Sequence, residues 1–411
     1  MKSQISESAW TKIRKFLNDV HLWLGLSCGI IVLLICMTGT IYVFNTEIRE
    51  LSSPKLYKVE QDVNAQRLSA DKLISVVSSE TGGQVISIKI PADPARSYVL
   101  TVSKPEESAE NTGPGGNEKS AKSAPRIQYF VNPYSGKILG SSADKNGVSD
   151  FMQMIFSLHR WLLLDRIEKP LIGELPNKKL GSYISGTATI LFTLGVITGI
   201  IIWFPQKIRN WKQGLKIKWN ANWKRVNHDI HNSLGFYSSI FLFMMGITGP
   251  QWSFEWYKIG LRKTLGTYQP ADAPKPETPK SDTLSINGTK SVLLTDYIRT
   301  VDNVLKYAGD LTITMPADSA DAVLVNKTKT GFFAPVAADK IYLDQYTSAL
   351  IKSDIFSEKP LNERISNSIK ALHVGDVYGK FTKIIYFLAC LIATSLPVTG
   401  TLIWINKMKK S

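Results

Sequence analysis

The chain has 411 residues, 44% of them hydrophobic, and a formal net charge of +15. The charge is concentrated, since residues 2–20, 205–227 and 406–411 carry 14 Lys and Arg against two acids, Glu7 and Asp19. The remainder is close to neutral, which argues against a nucleic-acid partner, whose phosphates need an extended basic face.

The first charge-free apolar run covers 22–44. It exceeds the ~7–15-residue core of a secretory signal, and no small-residue cleavage site follows it, so it reads as a retained anchor. A long segment, 45–182, comes next. Within it "LSADKLISVVSSE" (68–80) has helical spacing, while "ISIKIPADPARSYVLTV" (86–102) and "IQYFVNPYSGKILGSS" (127–142) alternate as strands. The Pro-, Gly- and Ser-rich stretch 105–125 reads as a flexible linker. "SDFMQMIFSLHRWLLLD" (149–165) carries His159 on a helical pattern. A second apolar run spans 183–204, a basic loop 205–233, and a third run 234–252. The segment 253–380 repeats the earlier order: linker 269–282, helix "LLTDYIRTVDNVLKYA" (293–308), strands at 310–325 and 340–354, and "NERISNSIKALHVGDVYG" (362–379) with His373. The fourth run covers 381–405, and a tail, 406–411, follows.

About 20 helical residues cross the ~30 Å hydrocarbon core. The fold class is therefore an α-helical membrane protein with four transmembrane helices. Its two halves look internally duplicated, each with a small extracytoplasmic α+β module. The Lys and Arg bias places segment 1–21, loop 205–233 and tail 406–411 in the cytoplasm, and the two long segments across the membrane. The three cysteines, Cys28, Cys36 and Cys390, fall in apolar runs and read as small core residues.

Five histidines occur in the sequence. "DVHLWLG" (19–25) and "DIHNSLG" (229–235) match, and a Thr-Gly pair follows each histidine, starting 17 residues on. The second and fourth runs end in "ITGIIIWF" (197–204) and "VTGTLIWI" (398–405), again with Thr-Gly. A pseudo-two-fold arrangement would set His21 against His231 and His159 against His373. One such histidine alone reads as an interhelical hydrogen-bonder, but two symmetric pairs read as ligands. Zinc normally takes three or four protein ligands, whereas haem iron needs only two axial ones. With no Cys-x-x-Cys-His, the expectation is two non-covalent b-type haems. Gly25 and Gly235, four residues beyond His21 and His231, lie on the same helix face and would admit a porphyrin. The Thr-Gly pairs read as helix-packing sites. Arg160, Lys370 and Lys380 are candidate partners for one haem's propionates, Lys15 and Arg225 for the other's. His228 is an alternative ligand or a neighbour of one. No nucleotide- or flavin-binding motif is present, so electrons would come from a quinol or a cytoplasmic reductase.

Taken together, "HLWLGL" at His21, "LHRWLLL" at His159, "DIHNSLG" at His231, "LHVGDVYG" at His373 and "VNPYSGKILG" (131–140) resemble the PepSY-associated transmembrane family. The resemblance covers nearly the whole chain. It implies PepSY-like modules, an iron-regulated inner-membrane protein, and haem ligation by His21, His159, His231 and His373. It also implies reduction of ferric iron, as ferric-siderophore, on the periplasmic side. Asn232 stands where family members often have Arg, so no propionate contact is implied there. The alternative function is a membrane-anchored PepSY-domain binding or regulatory protein without a cofactor. A transporter is disfavoured, because the apolar runs hold no acidic residue.

Overall fold

The computed structural model describes residues 9–60, 66–103, 125–205, 209, 211–274, 277–283 and 292–409. Of the expected linker 105–125 only Pro125 falls within the described residues, and 275–276 of the other linker fall outside them. The protein forms two compact units, one made of 1–45, 149–269 and 361–411, the other of 46–148 and 270–360.

Four helices in the first unit are long and apolar enough to cross a membrane. They are Ala9–Tyr42, Asn177–Trp203, Trp223–Thr248 and Gly379–Met408. All begin before the apolar runs that announce them. The third, for instance, starts at Trp223 and not at the expected 234. Its first turns are polar, yet the Asn222 side chain accepts the Arg225 N–H at 3.0 Å, and Arg225 pairs with Asp229 one turn on at 2.9 Å. A capped end and an i,i+4 ion pair hold a helix that hydropathy alone does not mark. The first and third helices each pack against the second and fourth. Small side chains allow this: Cys28, Val32 and Ala188 form one buried cluster, and Leu242, Ala389 and Ala393 another. The cysteines are free; Cys28 and Cys36 belong to these clusters, and the buried Cys390 thiol lies 3.5 Å from Met245 Sδ. At Gly246 an added Cβ would collide with Thr193, so the second and third helices meet closely.

Two short helices, Gly147–Trp161 and Ile369–Val374, carry His159 and His373. The first ends at Leu162 and Leu163, whose φ of 55° and 63° is rare for a side chain that bulky. The Trp161 carbonyl leaves no room for a Cβ at Gly181 of the second spanning helix. The other short helix is capped by Gly375, φ 82°, which lies against Tyr386 of the fourth. Each short helix is thus locked to the spanning helix that follows it.

The second unit is one antiparallel sheet of eight strands: β1 (Gln84–Ile90), β2 (Tyr98–Ser103), β3 (Arg126–Val131), β4 (Ile138–Ser141), β5 (Gly309–Thr314), β6 (Val323–Lys329), β7 (Ala338–Leu343) and β8 (Leu350–Asp354). Their order is β4-β3-β2-β1-β5-β6-β7-β8. Sequence patterning gives two small modules; the structure adds that β1 and β5 pair and fuse them. Alternation in β2 buries Tyr98, Leu100 and Val102, and in β6 Val323 and Val325, on the face that also receives Leu73 and Val77 of helix Ala70–Thr81 and Tyr297 and Val301 of helix Leu294–Val304. At the seam Ile88 lies directly opposite Ile313, both with 0% exposure.

Truncating Ile313 to Ala leaves a cavity at this seam, with an expected loss of about 2–5 kcal/mol. Denaturant unfolding of the full-length protein in detergent, followed by the strand signal in circular dichroism, checks it.

Candidate functional site

The first unit brings four of the five histidines together in two layers. In the first layer the rings of His21 and His231 lie 6.2 Å apart between centroids, at 79° to each other. In the second layer His159 and His373 are 6.4 Å apart, at 67°. At 1.5 Å rise per residue, the 17 residues from His21 to Thr38, which contacts His159, put the layers about 25 Å apart along the first helix.

Each ring is held by a Thr-Gly pair on a neighbouring helix. His21 Nδ1 is 3.1 Å from Thr198 Oγ1 and 3.0 Å from the Gly195 carbonyl. His159 Nδ1 meets Thr38 Oγ1 at 3.2 Å and the Ile35 carbonyl at 3.0 Å. His231 Nδ1 meets Thr399 Oγ1 at 2.9 Å, with the Leu396 carbonyl as its backbone acceptor. His373 Nδ1 meets Thr248 Oγ1 at 3.1 Å and the Met245 carbonyl at 3.2 Å. The glycine after each threonine supplies the space. A Cβ at Gly39, Gly199, Gly249 or Gly400 would stand 3.2–3.4 Å from Cε1 of the ring it faces. The Thr-Gly pairs, expected as helix-packing sites, are therefore histidine cradles. In the sequence the pairs stand out only by their recurrence, and nothing in them marks which histidine each would meet.

The hydrogen bonds fix the tautomer. A carbonyl oxygen only accepts, so Nδ1 must carry the proton. Each threonine hydroxyl gives its own proton back along its helix: Thr38 to Leu34 at 2.7 Å, Thr198 to Leu194 at 3.0 Å, Thr248 to Met244 at 2.6 Å and Thr399 to Ser395 at 3.0 Å. Its oxygen then accepts from Nδ1–H. In the neutral ring Nε2 is then the lone-pair nitrogen, the form a metal takes. Burial pushes His159 and His373 below the ordinary imidazole range, and the Arg160 charge adds to the shift in both. Burial therefore favours the neutral form of both second-layer rings.

A cavity of about 320 Å³ opens at the first layer. It is lined by Gly25, Gly235, Trp203, Trp404 and Phe236, among others. Nothing lies within 4 Å of a Cβ built on Gly25, and one on Gly235 would meet only Leu396, at 3.6 Å. Trp203 stacks on Phe236 with centroids 3.6 Å apart and donates to the Gly214 carbonyl, which makes one wall rigid. His228 also lines this cavity but belongs to neither layer. Its side chain is 53% exposed and faces Asp229 at 3.6 Å. Arg225, a candidate propionate partner, is instead committed to Asp229. At the second layer Arg160 donates to the Trp252 carbonyl at 3.1 Å, and its buried Nε has no hydrogen-bond partner among the described residues. No group of three or more His, Cys, Asp or Glu suited to a bare metal ion occurs among the described residues.

These features define a multi-pass helical membrane protein with two opposed histidine pairs in its bundle. The family model of the PepSY-associated TM region matches residues 19–407, and the chain belongs to that family. No curated protein matches the sequence significantly.

The cradles and the cavity respond differently to a methyl group. Gly199→Ala or Gly400→Ala must displace an imidazole or a helix, at a cost of about 1–3 kcal/mol. Gly25→Ala enters open space in a helix interior and stabilises the protein by about 0.5–1 kcal/mol. Thermal unfolding of the three variants in one detergent compares them.

Proposed function

We propose that this protein is a two-haem transmembrane electron-transfer protein that reduces ferric iron, bound as ferric-siderophore, at the periplasmic face of the bacterial inner membrane. The observation that carries this is the spacing within each histidine pair. A metal–imidazole bond is about 2.0 Å and the ligating nitrogen lies about 1.1 Å from the ring centre, so two opposed imidazoles sharing one metal would have centroids about 6.2 Å apart. The pairs stand at 6.2 and 6.4 Å. Each pair offers two imidazole donors and, among the described residues, no cluster of three ligands, which suits a metal whose other positions a macrocycle fills. His21 and His231 would hold one b-type haem and His159 and His373 the other. Gly25 and Gly235 leave room for a flat ring, and the unpartnered Arg160 Nε suits a propionate.

The remaining parts of the reading have their own support. Two copies of one unit explain why Ile88 and Ile313, which occupy matching places in "IKIPAD" (88–93) and "ITMPAD" (313–318), face each other at the sheet seam. The basic segments and both ends of the polypeptide are assigned to the cytoplasm. The first layer is then the inner one and the second the outer. Bound haem supplies a one-electron Fe(III)/Fe(II) couple. The protein would orient the four imidazoles, exclude water with apolar helices, and space the two layers. A quinol, giving two electrons and two protons, or a cytoplasmic reductase serves as donor, and each ferric chelate accepts one electron. Hard oxygen ligands hold Fe(II) less firmly than Fe(III), so reduction releases the metal.

Pyridine haemochrome analysis of the purified protein tests the reading, with two b-type haems per molecule expected. His159→Ala or His373→Ala should lose the outer haem and keep the inner; His21→Ala or His231→Ala should do the reverse; His228→Ala should keep both. Gly25→Ala, harmless to the cofactor-free protein, should lower inner-haem occupancy. A folded, colourless protein would overturn the proposal in favour of a cofactor-free binding protein acting through its sheet unit.

A further inference from the structure

We propose that Thr38, Thr198, Thr248 and Thr399 are positioning residues that set the donor strength of the four imidazoles and thereby hold both haem potentials down. This rests on the haem reading above. The threonines never need to touch a haem. Each acts through the Nδ1–H of one ring, at 2.9–3.2 Å.

The geometry gives each Nδ1–H two acceptors, the threonine oxygen and the carbonyl three residues before it. The threonine oxygen is itself polarised, because its proton is bonded to the carbonyl four residues back. Hydrogen bonds linked in series, from N–H to hydroxyl to carbonyl, strengthen one another in a low-dielectric interior. Two acceptors pulling on one N–H give the ring imidazolate character and make Nε2 a better donor. A better donor favours Fe(III) over Fe(II) and lowers the potential. That direction suits a protein whose acceptor is a tightly chelated ferric ion. Packing alone does not require the hydroxyl at all four places, since Val has the same shape as Thr. Because the cradles alternate between layers, Thr38 and Thr248 act on the outer pair and Thr198 and Thr399 on the inner.

The test is a redox titration of Thr38→Val, Thr198→Val and the corresponding Ser variants in detergent, with both haems resolved spectrally. Thr38→Val should weaken the ferric-over-ferrous preference of the outer haem about tenfold, a rise of about 59 mV for one electron, and leave the inner haem unchanged. Thr198→Val should do the converse, and each Ser variant should stay near the wild type. Both haems bound with unaltered potentials in the Val variants would overturn the proposal, as would equal shifts from Val and Ser. Absence of haem from the wild type would instead overturn the parent reading. The positioning role is read independently by NMR of the cofactor-free histidines: an Nδ1–H proton whose resonance moves upfield when Val removes the second acceptor supports it, and a resonance unchanged in the Val variants, or an Nε2–H tautomer in the wild type, sinks it.

Discussion

An imidazole placed between apolar helices must give its proton to something, because no water is there to take it. Here the acceptor is a carbonyl and a threonine hydroxyl from the neighbouring helix, and the two backbones must approach closely for Nδ1 to reach them. That requirement explains why glycine follows the threonine in all four places, with the ring edge resting where a side chain would otherwise stand. It also orients the rings. Once Nδ1 is tied to one helix, the opposite nitrogen is free for whatever lies in the bundle. A lone interhelical histidine would satisfy the same hydrogen bonds, but nothing in that role brings two rings opposite each other twice.

The spanning helices divide the work unequally. The first and third bear a histidine near one end and a cradle near the other, so a single rigid rod sets the separation of the layers. The second and fourth bear only cradles for the first layer, and each is preceded by a short helix that delivers the second-layer histidine. Gly181 under the Trp161 carbonyl and Gly375 against Tyr386 fix those short helices to the rods that follow. Helix packing and histidine placement are thus one problem with one solution.

Much of this is legible in the sequence. The apolar runs locate the four spanning helices, and the matched "DVH" and "DIH" with "LHR" and "LHV" locate the histidines and their partners. What hydropathy does not see are the polar first turns of the third helix, where Asn222 and the Arg225–Asp229 pair, not apolarity, sustain the structure. The cradle role of Thr-Gly is hidden for a different reason. Glycine in a membrane helix is common wherever helices touch, and only the folded structure reveals that here it touches a ring. The pairing of β1 with β5 is equally invisible, since each strand alternates like any other and nothing local says which edge it will join.

The sheet seam bears on how such a polypeptide is assembled or divided. Neither four-stranded half is closed on its own: β1 and β5 each find their outer partner in the other half of the molecule. An isolated half would present Gln84–Ile90 or Gly309–Thr314 as a bare backbone edge, a template for a second molecule to join. Tethering both halves in one polypeptide keeps that edge occupied at high local concentration, and synthesis of the second half completes what the first leaves open.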